Sequence, residues 1–96
     1  MSESNQSGEA DLEGWVNDLA DRLGVDRDLV DVTLLLAVAR DAARHVTKTA
    51  APIATFLVGV AVAQRGGSQE DVAEAARQAQ ELASAFDAKN GNSAEP

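Results

Sequence analysis

The side chains best suited to chemistry lie together in RDAARHVTKTAAP, residues 40–52. Arg40, Arg44, His45 and Lys48 crowd into this stretch of an otherwise acidic chain. Guanidinium and ammonium groups hold carboxylates and phosphates through charge-assisted hydrogen bonds. Arg40, Arg44 and Lys48 step by four, which places them on one face of a helix. Asp41 and His45 take the same step on the neighbouring stripe and could pair. A helix starting after Lys48, with Thr49 as N-cap and Pro52 in its first turn, would add free N–H groups around Ala51 to Ala54. Two readings follow. In one, the bases complement the negative end of a helix, worth ~0.3–1 kcal/mol each when exposed. In the other, Arg40, Asp41, Arg44, His45 and Lys48, with Thr49 and Pro52 shaping the adjacent turn, form a dock for an acidic partner or a small anion site. The carbonyls that end the preceding helix oppose the anion site.

Other candidates carry less. Asp26, Asp28 and Asp31 superficially suggest a calcium loop, but the EF-hand spacing with its Gly and terminal Glu is absent, and helix capping accounts for them. Gly66–Gly67 reads as a helix stop and not as a phosphate loop. There is no Cys, and the one His sits in a charged helix end. That argues against disulfides, thiolate ligands, a structural zinc site and a nucleophile–base pair. Trp15 reads as core. The expectation is a protein without catalytic residues, metal or cofactor.

The elements that position the basic stretch follow from apolar spacing. Leu12, Trp15, Val16, Leu19 and Leu23 fall on one face of a first helix from about Asp11, which Gly24 stops. Asp26, Asp28 and Asp31 offer alternative N-caps for a second helix that runs to about Lys48. Its middle, Leu34 to Ala39, is continuously apolar and reads as buried nearly all round. The third helix, about Ala50 to Arg65, is apolar on every side and reads as central. Thr55, Gly59 and Ala63 form a small-residue stripe along it. Gly costs ~1 kcal/mol relative to Ala in a helix interior, so close approach of another helix is the expected compensation. Ser68 with Asp71 resembles a capping box. The fourth helix runs to about Phe86 or Asp87, with Val72, Ala75, Ala76, Ala79, Leu82, Ala83 and Phe86 inward. No strand pattern competes. The predicted fold is all-α, a compact four-helix bundle over residues 11–87, with a disordered leader (1–10) and tail (88–96).

Composition bounds the function. At 96 residues the chain is a single domain. Its apolar residues are mostly Ala, Val and Leu, with Trp15, Phe56 and Phe86 as the aromatics. A core of this size supplies only ~3–5 kcal/mol, so a homodimer or a larger partner would help it. The net charge is −8, which disfavours nucleic acid and anionic membrane. Residues 32–65 are the exception, with four bases against one acid. The longest apolar run, Ala50 to Ala63, falls short of the ~20 residues that span a bilayer. The start shows no basic and apolar signal-peptide pattern. A cytoplasmic protein is expected.

The acidic Leu-Glu-x-Trp opening helix, LLLAVARDAARHV and TAAPIATFLVGVAVAQRGGSQEDV together resemble a small actinobacterial family of uncharacterised function, over about residues 11–87. Members occur free-standing or fused to molybdenum cofactor guanylyltransferases. They travel with genes for molybdenum-dependent formate dehydrogenases and their maturation factors. The resemblance carries no catalytic residues. It implies a non-catalytic accessory protein or small subunit, acting on the dehydrogenase or on a cofactor maturation enzyme by protein–protein interaction. The alternative is a module holding an anionic pterin or nucleotide between the second and third helices.

Overall fold

A computed structural model describes residues 8–90, with side-chain surroundings for residues 11–86. The all-α expectation holds: there are four α-helices and, among the described residues, no strand. They are α1 (Gly8–Leu23), α2 (Val32–His45), α3 (Ala50–Arg65) and α4 (Gln69–Asn90), with a 3-10 turn at Arg27–Leu29. The chain divides into two compact units, residues 1–30 and 31–96.

In the first unit, α1 ends at Leu23, and the Val25 N–H closes back onto the Ala20 carbonyl at 2.8 Å. The Asp26 carboxylate caps the 3-10 turn by accepting from the Asp28 N–H at 2.9 Å. Arg27 then fastens the turn to α1. Its guanidinium donates to Glu13 at 2.7 Å, to the Asn17 side-chain oxygen, and to the Val30 carbonyl at 2.6 Å. Ala20 is buried, whereas Leu12, Leu19, Leu23 and Trp15 are exposed. The apolar face read from periodicity is on α1 but is not buried, and Trp15, expected in a core, is 61% exposed. The helix starts at Gly8, ahead of the expected Asp11. The remainder of the leader and most of the tail lie outside the described residues.

The second unit is a bundle in which α2, α3 and α4 each pack against the other two. Asp31, one of the three candidate caps, begins α2: its carboxylate accepts from the Leu34 N–H at 3.0 Å. The helix ends at His45, short of the expected Lys48, because the Val46 and Thr47 N–H groups both turn onto the Ala42 carbonyl. Gly66 and Gly67 take φ of 121° and 77°, values that side chains with a Cβ rarely adopt. The Gly67 N–H satisfies the Val62 carbonyl at 2.8 Å and closes α3. Ser68 and Asp71 then form a reciprocal capping box. The Asp71 N–H donates to Ser68 Oγ at 3.0 Å, and the Ser68 N–H donates to Asp71 Oδ2 at 3.1 Å. The shorter Asp fills the place usually held by Glu or Gln.

The core of this unit is made of small residues: Val38, Ala42, Val58, Val62, Val72, Ala75, Ala76 and Ala83. The large side chains lie outside it, which corrects three expectations. Leu34 to Ala39 is enclosed only at Val38, with Leu36 53% exposed and the others half-buried. On α3, Ile53, Phe56 and Leu57 are exposed, so this helix is not central. On α4, Leu82 and Phe86 leave the inner face that their spacing assigned them. The small-residue stripe also does not receive a helix. Gly59 and Ala63 are exposed, and a Cβ placed on Gly59 would meet nothing within 4 Å. α4 continues to Asn90, beyond the expected Asp87.

Candidate functional site

The basic stretch spans the end of α2, a turn, and the start of α3. Arg40, Asp41, Arg44 and His45 occupy the C-terminal half of α2. Lys48 and Thr49 sit in the turn, and Pro52 is the third residue of α3. The expected stripe is therefore helical for Arg40 and Arg44 only, and Lys48 continues it off the helix end. All three cations are exposed, and none has a hydrogen bond or ion pair among the described residues. This distinguishes them from Arg27, from Arg65, which donates to Gln78 at 2.9 Å, and from Arg77, which pairs with Glu74 and Glu81. The two carboxylates push the Arg77 guanidinium further above its ordinary value.

Asp41 has a different job from its neighbours. Its carboxylate accepts a 2.9 Å hydrogen bond from the Gln80 amide of α4, in partly buried surroundings. The link ties α2 to α4. His45 is half-buried. Two free guanidinium groups on a helix exposed at that face, followed by a free ammonium, can bind carboxylates from a partner's surface.

The turn itself bears on an anion site. Thr49 stands at the N-cap position of α3, with helical backbone angles and no side-chain capping bond. Its own N–H goes to Thr47 Oγ1 at 3.3 Å, and the Ala50 and Ala51 N–H groups go to the Thr47 and Lys48 carbonyls at 2.9 and 3.2 Å. Pro52 has no N–H. The first three helical positions thus offer no free donor, and the start of α3 cannot contribute to an anion site as the sequence suggested.

A second feature was missed in the sequence. A groove of about 430 Å³ runs between α3 and α4 and is closed on one side by the end of α2. Alanines make most of its floor, among them Ala54, Ala61 and Ala79. Leu57, Leu82 and Phe86 stand along it, and Arg65 bonded to Gln78 lies within its lining. The signal was present as a mismatch: a helix face with only Ala and Val opposite its Leu and Phe leaves space unfilled. Among the described residues there is no group of three or more His, Asp or Glu placed to hold a metal ion. None of the described helices is long and apolar enough to cross a membrane.

A family model described as a domain of unknown function, DUF6457, matches residues 7–91. No curated protein and no solved structure matches the chain.

Proposed function

We propose, for a chain that belongs to the DUF6457 family, that it is a non-catalytic accessory protein that docks an acidic partner through Arg40, Arg44 and Lys48. The observation that carries this is the state of those three cations. They are exposed and without partners among the described residues, as Arg22 also is, but they alone cluster within nine residues, in a chain of net charge −8 where Arg27, Arg65 and Arg77 are all engaged. A positive area on an acidic protein steers an oppositely charged surface to one place. Asp41 and the Thr47–Thr49 turn serve this dock indirectly, by fixing α2 and the direction in which Lys48 leaves it. The resemblance of the RDAARHV and TAAPIATFLVG segments to the actinobacterial domains described above supplies the cellular context. The partner is then a molybdenum-dependent formate dehydrogenase or a molybdenum cofactor maturation enzyme, and the compartment is the cytoplasm.

The test is copurification of tagged protein from a native lysate, with the retained chains identified and the Arg40→Ala/Arg44→Ala variant run beside it. Retention of the dehydrogenase or a maturation enzyme by the wild type, and its loss in the variant, is the expected result. Equal retention by both would remove the patch from the interface. A thermal shift on adding a pterin or nucleotide, with no protein retained, would favour the small-molecule alternative.

A further inference from the structure

We infer, resting on the docking function proposed above, that Leu36 is the apolar anchor of that dock. The acidic partner then carries an apolar hollow one helical turn beyond the carboxylates that meet Arg40 and Arg44.

The outward face of α2 is narrow. Four residues of this helix are exposed: Thr33, Leu36, Arg40 and Arg44. They follow one another by three, four and four, which makes one stripe along a helix. Val38 and Ala42 are buried, and each lies two residues from Arg40, about 200° around a helix of 3.6 residues per turn. The stripe therefore points away from the packed side of α2. Asp41, the one acid of α2, is bonded to Gln80 of α4 and is not among the exposed residues. From Leu36 to Arg44 the stripe is about 12 Å long, at 1.5 Å of rise per residue. Successive side chains along it start about 6 Å apart.

A single exposed leucine is ordinary on a protein surface. Leu36, 53% exposed, differs in standing four residues from Arg40, in line with two guanidinium groups that have no partner among the described residues. The two kinds of side chain act at different stages. Arginines attract an acidic surface from a distance and speed encounter, but exposed charges add little once the complex has formed. A leucine does nothing at a distance and holds the complex once water has left its surface. Burying the exposed half of its side chain strengthens binding roughly fivefold. The surface that matches the stripe has two carboxylates about 6 Å apart and an apolar hollow about 6 Å further along. A uniformly acidic surface fits worse, because Leu36 would strip water from a carboxylate and offer it no hydrogen bond. Leu36 thus selects among acidic surfaces, whereas the arginines draw them all.

Association and dissociation rates of purified dehydrogenase or maturation enzyme test this, with circular dichroism as the control for folding. Leu36→Gln keeps a helix-forming side chain of similar length without the apolar surface, and Leu36→Ala is a second truncation that also favours the helix. Both should dissociate roughly fivefold faster than wild type, with association rate and salt dependence unchanged. Leu36→Met, which stays apolar, should bind as wild type does. Arg40→Ala/Arg44→Ala should associate more slowly. Weakened binding in the arginine variant beside wild-type dissociation in Leu36→Gln and Leu36→Ala overturns the anchor and leaves the dock standing. Equal losses in Leu36→Met and Leu36→Gln overturn the anchor as well. An arginine variant that binds as wild type does refutes the dock, and the anchor with it.

Discussion

At Ser68 and Asp71 two exposed side chains decide where a helix begins. Removing the hydroxyl in Ser68→Ala leaves the Asp71 N–H without its 3.0 Å acceptor and should cost about 0.5–2 kcal/mol at neutral pH. The hydrogen bonds from Ser68, backbone first and hydroxyl second, hold the Asp71 carboxyl below its ordinary value of 3.8. A carboxyl lowered on folding stabilises fully above its unfolded value, and the contribution is lost as pH falls through the lowered folded value. Urea titrations should therefore show the wild type losing this contribution below about pH 4. A gap between wild type and Asp71→Asn that does not shrink as pH falls into strong acid would contradict the assignment. Gly59 gives the opposite kind of case. With open space where a methyl would stand, Gly59→Ala should raise stability by up to about 1 kcal/mol. A loss would mean that something presses on α3 there. The capping box was legible because both partners lie within one turn. The surroundings of Gly59 and Trp15 were not, since exposure is decided by elements distant in sequence.

Between elements, the bond from Gln80 to Asp41 is the tie most open to test. It joins α2 to α4 across 39 residues of sequence in partly buried surroundings. Asp41→Ala leaves the amide unsatisfied and should cost about 1–2 kcal/mol in urea unfolding. Asp41→Asn, which keeps an acceptor oxygen, should recover part of that loss. Equal costs for both would mean that the charge, and not the hydrogen bond, does the stabilising. All four helices were visible in the sequence through apolar spacing, Asp31, Gly66–Gly67 and Ser68. What was hidden was which side of α3 faces the bundle. A helix with no charged residue from Ala50 to Ala63 has no polar stripe to mark its solvent side. Apolar character all round predicts burial, yet Ile53, Phe56 and Leu57 are exposed. Similarly, α2 stops at His45 because a turn captures the Ala42 carbonyl, and no single residue near Lys48 announces that stop.

For the whole chain, charge is unevenly spread. The acids gather toward the N-terminal unit, while in the second unit the free bases Arg40 and Arg44 lie on α2 with Lys48 just beyond its end. Of the candidate site, the cations were legible as a cluster in sequence and are free in the structure, whereas Asp41 and the backbone donors near Pro52 are engaged elsewhere. The proposed function stands or falls with the docking of an acidic partner on those free cations. Its sharpest test is the affinity of purified dehydrogenase or maturation enzyme for wild type and Arg40→Ala/Arg44→Ala over a range of salt. Exposed charges without partners contribute little to folding, so the variant should stay within about 1 kcal/mol of wild type in stability. Its affinity should fall, its association should slow, and the dependence of affinity on salt should flatten, because steering charges act on encounter and are screened by ions. An unchanged affinity with an unchanged salt slope would refute the dock and leave Arg40, Arg44 and Lys48 as the charged end of a helix.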